Sequence, residues 1–312
     1  MRPRADLNPG VSPRGGLYPG ARPRADLRIV VLTGAGISAE SGLATFRDAS
    51  GLWASLRPQD LATPEAFARD PDTVLAWYDA RRAQLAEVEP NEAHRALARL
   101  DREWPGEFLL VTQNVDDLHA RAGGQRMVQM HGALARARCT ACEAVHAWTG
   151  GMPRGTPCPG CSQPALRPDV VWFGEMPMAM PRILAAVGQA DLFVAIGTSG
   201  TVYPAAGLVG RLPPRARSLE LNLEASGGRF TDSRQGPATR LVPAFVDEML
   251  CDGSWHCCWG QARRRRANRL FRAARCPGWV TRNVAWRWTP VPCPGPRWAG
   301  CRPSLAAAAP AC

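Results

Sequence analysis

Gly34-Ala35-Gly36-Ile37-Ser38-Ala39-Glu40-Ser41-Gly42 follows the apolar run Leu27-Arg28-Ile29-Val30-Val31-Leu32. A β-branched run that breaks at a glycine-rich turn predicts a buried parallel strand opening onto a phosphate site. Gly34, Gly36 and Ala39 fit the pattern G-x-G-x-x-G/A, in which missing side chains let backbone N–H groups approach a pyrophosphate. Taken alone, the pattern fits equally a strand end that makes only a tight turn.

The same grammar recurs downstream. Phe108-Leu109-Leu110-Val111-Thr112 reads as a second buried strand and ends in Gln113-Asn114-Val115-Asp116-Asp117-Leu118-His119. Asp191 to Ile196 is another, ending at Gly197-Thr198-Ser199-Gly200, and Ser218 to Glu224 gives a strand with a polar end once more. Amide and carboxylate groups at the carboxyl ends of strands sit where open α/β sheets bind ligands. Residues 58–104 read as helical, with Thr63-Pro64-Glu65 opening one segment and Pro71 the next. Arg167-Pro168-Asp169-Val170-Val171-Trp172-Phe173-Gly174-Glu175 is expected to return the chain to the main sheet, and a helix from Pro243 to Leu250 to close the fold. Strands alternating with helices predict a Rossmann-like, doubly wound parallel α/β sheet.

Cys139-x-x-Cys142 and Cys158-x-x-Cys161 are separated by 15 residues. Two such knuckles bring four thiolates together in a tetrahedral zinc pattern that leaves no open position for water, so one structural Zn2+ ion is expected. A redox pair is the other reading of C-x-x-C. His146 lies inside this module and is surplus once four thiolates fill the site.

In the helix from Asp72 to Glu87, Val74, Tyr78, Arg81 and Leu85 share one stripe. On such a stripe an Arg ordinarily runs its stem along core neighbours and its head to water. Alternatively, Tyr78 and Arg81, one turn apart, face a pocket together and make a receptor for a carboxylate.

The continuation Gly42-Leu43-Ala44-Thr45-Phe46-Arg47-Asp48, then Gly51-Leu52-Trp53, carries a family resemblance. The chain resembles the sirtuins, NAD-dependent protein lysine deacylases, and the resemblance covers residues 28–250 with motifs in family order. Ala44 departs from the family, which usually has Pro there, and makes this loop less rigid. The resemblance implies NAD contacts from Gly34, Ala35, Gly36, Ala39, Thr45, Phe46, Arg47 and Trp53. It adds Gln113, Asn114, Val115 and Asp116 on the nicotinamide and ribose side, and Gly197, Thr198, Ser199, Asn222, Leu223, Glu224 and Ala238 on the adenosine side. It implies His131 as catalytic base, with Asn114 and Asp116 orienting the cofactor. Imidazole suits the task because its pKa lies near working pH.

The implied reaction moves the ADP-ribosyl group onto the acyl oxygen of an acylated protein lysine. Nicotinamide leaves, His131 draws a proton from a ribose hydroxyl that attacks the imidate, and water releases lysine and 2′-O-acyl-ADP-ribose. Trp77-Tyr78-x-x-Arg81-Arg82 resembles the class III sirtuins, which implies removal of succinyl and malonyl groups as well as acetyl. Val171, Phe173 and Gly174 would hold the substrate backbone edge to edge. A protein mono-ADP-ribosyltransferase would use the same cofactor site, and a zinc-ribbon protein that binds nucleic acid through a basic arm is the non-enzymatic alternative.

The formal charge of +11 decides little about that alternative until it is located. From Cys251 onward there are 11 Arg and one acid, Asp252, which leaves +1 for the first 250 residues. Nucleic-acid binding would rest on this tail alone. The tail also holds six of the 11 Trp and seven of the 11 Cys, with no sustained apolar period beyond Gln261 to Ala274, and is expected to be poorly ordered. Residues 1–27 are rich in Pro, Gly and Arg, repeat Arg-Pro-Arg-Ala-Asp-Leu, and read as a disordered leader. The expected organisation is therefore a leader (1–27), a catalytic domain (28–250) with the zinc module at about 133–168, and a basic tail (251–312). No apolar stretch is long enough to span a membrane, and paired cysteines that hold metal rather than disulfides suit a bacterial cytoplasm. Nothing in the sequence speaks to oligomeric state.

Overall fold

The computed structural model describes residues 24–43, 58–198 and 205–250. The expectations for residues 1–23 and for the 251–312 tail lie outside the described residues. Chain contacts separate 1–254 from 255–312, and every described residue belongs to the first unit.

Nine strands and seven α-helices are present among the described residues. The strands are β1 (Ile29–Thr33), β2 (Phe108–Thr112), β3 (Met127–Gln129), β4 (Gly132–Cys139), β5 (Val145–Ala147), β6 (Leu166–Val170), β7 (Leu192–Ile196), β8 (Arg217–Asn222) and β9 (Asp232–Gln235). The helices are α1 (Pro58–Leu61), α2 (Pro64–Arg69), α3 (Pro71–Ala86), α4 (Glu92–Glu103), α5 (Leu118–Arg121), α6 (Met180–Gln189) and α7 (Ala238–Leu250).

Six strands form one sheet in the order β3-β2-β1-β7-β8-β9, and every pairing is parallel. Counted within that sheet, this is the 3-2-1-4-5-6 order of a dinucleotide-binding α/β fold, with its switch point between β1 and β7. Both faces are covered, which is why β1, β2 and β7 are buried along their whole length. Ile29 and Val31 turn toward Leu97 and Leu100 of α4 and Val242 and Phe245 of α7. Val30 and Leu32 turn the other way, toward Ile183 and Val187 of α6 and toward Leu208. Successive strand residues thus feed opposite cores, as period-two geometry requires.

The helical reading of 58–104 holds, and its punctuation is visible. Thr63 Oγ1 accepts from the N–H of Ala66 to cap α2, and Asp70 Oδ1 accepts from the N–H of Thr73 to cap α3. Asn91 caps α4, accepting from the N–H groups of Ala93 and His94.

Three expectations are corrected. The stretch from Arg167 does not rejoin the main sheet: β6 pairs antiparallel with β4, which also pairs with β5, in a separate three-stranded sheet. The cysteine knuckles explain this, since they close β4 onto the segment that leads into β6. α7 begins at Ala238, with Pro243 in its interior, because Ala238 and Val242 supply core contacts that extend the helix toward its N-terminus. The ordered fold also starts before residue 28. Arg24–Asp26 form a 3-10 turn and Leu27 is buried in the core.

Candidate cofactor cleft and metal centre

The glycine-rich turn closes against the end of β7. The Gly34 N–H donates to Ile196 O at 3.0 Å, and the Gly36 N–H donates to Gly197 O at 2.9 Å. A Cβ on Gly36 would lie 2.8 Å from Gly197 Cα, and one on Gly197, which has φ +59°, would lie 2.5 Å from Ile37 N. The glycines expected to serve a pyrophosphate therefore serve first to let two loops touch, and two of their N–H groups are committed internally. This contact seals the switch point and leaves the strand ends on either side to face the cleft.

Polar side chains gather there from four strand ends. Asn114 Nδ2 donates to Gly34 O at 3.2 Å and to Ser38 Oγ at 3.1 Å. Ser38 Oγ donates to Asp116 Oδ2 at 2.9 Å, and the Leu118 N–H donates to Asp116 Oδ1 at 3.1 Å. Burial pushes the Asp116 carboxyl above its usual range, and these two donors pull against it. Gln113 Nε2 donates to Thr198 Oγ1 at 3.1 Å, and Asn222 Nδ2 donates to Thr198 O at 2.9 Å, so the β2, β7 and β8 ends are laced together.

Beneath this layer, two histidines stack edge to face, 4.8 Å between ring centroids. His94 Nε2 is 3.4 Å from Ser38 Oγ, and His119 Nε2 is 3.1 Å from Thr33 Oγ1. The Ser38 proton already goes to Asp116, and His94 Nδ1 lies 3.3 Å from the Asn91 backbone nitrogen and 3.0 Å from Asn91 Oδ1, so Ser38 and Asn91 together fix the ring. Burial pushes His94 down to about 4 and His119 well below its ordinary value. Motif reasoning gave Ser38 no role of its own and read His94 as structural rather than catalytic. The signal available was a hydroxyl within a glycine-rich turn.

His131 stands between β3 and β4. Its Nδ1 lies 2.9 Å from the main-chain oxygen of Gln113. A carbonyl oxygen only accepts, so Nδ1 holds the proton and Nε2 presents a lone pair. Burial lowers the His131 pKa, partly offset by that carbonyl. The next residue must be glycine. At Gly132, φ is +81° and a Cβ would sit 2.0 Å from Asp169 O.

Tyr78 and Arg81 do lie side by side on α3. Tyr78 is 2% exposed and its oxygen accepts from Trp172 Nε1 at 2.9 Å. The Arg81 guanidinium lies 4.4 Å from the Trp77 ring centroid and has no hydrogen bond or ion pair among the described residues. Burial lowers its pKa.

Residues 171–175 follow β6 as a turn rather than an open strand edge. The Val171 N–H donates to His131 O and the Phe173 N–H to Ala62 O, both within the chain. Gly174 has φ +92°, and Phe173 is exposed. Two of the donors expected for substrate pairing are thus engaged. On the adenosine side, Leu223 and Glu224 are exposed beyond the β8 end, whereas Ala238 is buried at the start of α7. Ala35 and Ala39 lie in the glycine-rich turn, and Val115 is beside Asn114, its carbonyl accepting from the Leu134 N–H. Thr45, Phe46, Arg47, Trp53 and Ser199 lie outside the described residues.

The four cysteines converge. Their sulfurs lie within 4.8 Å of one another, with Cys139–Cys161 at 3.7 Å and Cys142–Cys158 at 3.8 Å. A tetrahedron of Zn–S bonds near 2.3 Å has edges of about 3.8 Å. A disulfide needs about 2.05 Å. The spacing fits a bound zinc ion and no redox pair, and the sulfurs of both knuckles would hold it.

The sequence profile of the Sir2 family matches residues 34–204. The NAD-dependent protein deacylase of Escherichia coli K12 is 53% identical over 229 residues, which cover 72% of this chain and 82% of that protein. The chain belongs to the Sir2 family. Among solved Sir2 structures, a Sir2 homologue in complex with NAD superposes with a TM-score of 0.66 at 39% identity, covering 71% of this chain and 88% of that one. A Sir2 protein bound to acetylated peptide superposes with a TM-score of 0.61 at 25% identity, covering 71% and 92%. The Sir2 assignment accounts for the parallel sheet, the polar strand ends beside its switch point and the four-cysteine cluster in one chain. Among the described residues, no helix is long and apolar enough to cross a membrane.

Proposed function

We propose that this Sir2 protein is an NAD-dependent protein-lysine deacylase acting in the cytoplasm, and that it prefers acidic acyl groups, succinyl and malonyl, over acetyl. The observation that carries the catalytic part is the His131 imidazole, held through Nδ1 by the Gln113 carbonyl, with no hydrogen bond at Nε2 among the described residues. Relatives named as NAD-dependent protein deacylases support the same reading. The described zinc-module cysteines are all free of disulfides, which suits a reducing compartment.

NAD, when bound, supplies a ribose carbon made electrophilic by its nicotinamide leaving group. The chain's own residues do the rest. Asn114 and Asp116, fixed through Ser38, orient the ribose, and Gln113, Thr198 and Asn222 line the path toward the adenosine end. His131 Nε2 accepts a ribose hydroxyl proton and later returns one. A zinc ion held by the four thiolates would supply no reaction chemistry, since they leave no coordination position for a substrate, and it would join the end of β4 to the segment that leads into β6.

The preference for acidic acyl groups rests on α3. Arg81 is a half-buried cation with no anionic partner among the described residues, and Trp172 fills an acceptor site of the Tyr78 hydroxyl, leaving its own proton to donate. Both supply donors to a carboxylate. Facing an acetyl methyl, they would stay unpaired, at a cost of about 1–3 kcal/mol or more. Steady-state kinetics on matched acetyl- and succinyl-lysine peptides test this. The succinyl peptide should have the higher kcat/KM, and Arg81→Met should erase most of the difference. Equal efficiency in the parent, or a ratio untouched by Arg81→Met, refutes the acyl assignment and leaves the deacylase assignment standing.

A further inference from the structure

The imidazole of His146 is spare by cysteine arithmetic, yet its position is not idle. It lies on β5, where it pairs with Ala137 of β4, and its Nε2 is 3.3 Å from Cys158 Sγ. Backbone N–H groups approach every sulfur of the cluster: Ala141 N–H to Cys139 Sγ at 3.4 Å, Gly160 N–H to Cys158 Sγ at 3.3 Å, and those of Ala144 and Gln163 at Cys142 and Cys161. Among the described residues, Cys158 alone also has a nitrogen side chain within reach, and it is one of the two buried members of the set.

We propose that His146 belongs to the metal centre as a donor to the Cys158 thiolate, and that it sets how tightly the zinc ion is held. A ligating thiolate has no proton, so in this pair the sulfur accepts and His146 Nε2–H donates. Four thiolates around a divalent cation carry a net charge of −2, and two of the four ligating residues, Cys139 and Cys158, are buried. An N–H aimed at one sulfur draws off part of that charge and fixes the direction of its lone pairs. Donors of this kind to metal ligands are worth roughly 10–100-fold in metal affinity. The Gly160 N–H and the His146 N–H reach Cys158 from two different segments, one from within the second knuckle and one from the neighbouring strand. His146 therefore also ties β5 to the ion, although β5 contributes no ligand.

The test uses the full zinc-loaded chain. Zinc transfer to a chromogenic chelator is followed for the parent and for His146→Ala, His146→Phe and His146→Gln, each first shown to carry one zinc per chain. Ala and Phe, which lack the donor, should bind zinc at least about 10-fold more weakly. Gln, which retains an N–H donor, should lie between them and the parent. A cobalt-loaded sample gives a second readout that general loosening of the fold would not reproduce. Losing the donor should move the thiolate-to-cobalt charge-transfer band to longer wavelength in Ala and Phe, and less in Gln. If Phe fails to fold, Ala and Gln decide. Parental zinc affinity together with an unmoved band in Ala would overturn the role of His146. A parent chain that holds no zinc would overturn the metal centre itself.

Discussion

Ser38 Oγ donates to Asp116 Oδ2 at 2.9 Å while accepting from Asn114 Nδ2 at 3.1 Å, so one hydroxyl joins the glycine-rich turn to the loop after β2. Three polar side chains lose a partner if it is removed, because the His94 imidazole also points at it. Ser38→Ala is expected to destabilise the fold by about 1–3 kcal/mol. It should also raise the Asp116 pKa further, since a donor that favours the carboxylate disappears. Urea unfolding measures the first effect. The pH dependence of turnover reports the second, as an acid limb shifted toward neutral pH relative to the parent.

His131 makes a sharper prediction. His131→Ala should slow deacylation by roughly 10²- to 10⁴-fold with the fold intact. In the parent, the base is competent while Nε2 is unprotonated, that is, above the folded-state pKa. Burial lowers that pKa from the ordinary 6.5. The rate should therefore stay level as pH falls from 8 to 6.5 and decline only below, which a kcat/KM profile on one peptide would show. A parent rate already falling at pH 7.5 would mean that a different group serves as base.

Much of this arrangement was legible in the chain itself. Strands β1, β2 and β7 were readable because both faces are buried, which leaves an unbroken apolar run ending at a polar loop. The four cysteines were readable because two knuckles bring their own spacing. The partner of β6 was not, since Leu166–Val170, with Arg167, Pro168 and Asp169 at its centre, carries no apolar pattern that chooses a sheet and only the zinc knuckles decide. The short β3, β5 and β9 carry three or four residues each, too few for a period to register. The roles of Ser38 and of the His94–His119 pair were hidden for another reason. They rest on contacts between residues distant in sequence, which no local pattern encodes.

Those buried histidines predict how stability responds to pH. In the unfolded chain each titrates near 6.5, whereas in the folded protein His94 titrates at about 4 and His119 and His131 are also held below their ordinary value. Below pH 6.5 the unfolded state takes up protons that the folded state refuses, so stability falls with falling pH. Each such histidine contributes up to about 1.4 kcal/mol per pH unit. Asp116 acts with the opposite sign, because its raised pKa lets the folded state bind a proton first, but only in the window just above 3.8. Urea midpoints should therefore drop between pH 7 and pH 5. His119→Gln, which has no titrating ring, should show a shallower drop than the parent.

Arg82 ties α3 to the metal module. It is 4% exposed, and its Nε donates to Leu134 O at 2.9 Å while Nη1 donates to Asp79 Oδ1 at 2.5 Å and to Gly150 O at 3.1 Å. Asp79 completes the link by accepting from the Met152 N–H at 2.8 Å. One ion pair within α3 thus grips the start of β4 and the segment between β5 and the second cysteine knuckle. Arg82→Met should lower stability by about 3–5 kcal/mol, because it leaves a carboxylate and two carbonyls without their cation. Arg82→Lys should rescue little, since an ammonium cannot reproduce the planar fork that reaches three acceptors. Because Tyr78 and Arg81 ride on the same helix, Arg82→Met should also narrow the difference in kcat/KM between succinyl and acetyl peptides. Thermal unfolding of the zinc-loaded proteins, followed by the two-peptide comparison, measures both effects. If Arg82→Met kept the parental stability, the join between α3 and the module would have to reside instead in the packing of Leu75 against Ala137 and Met152.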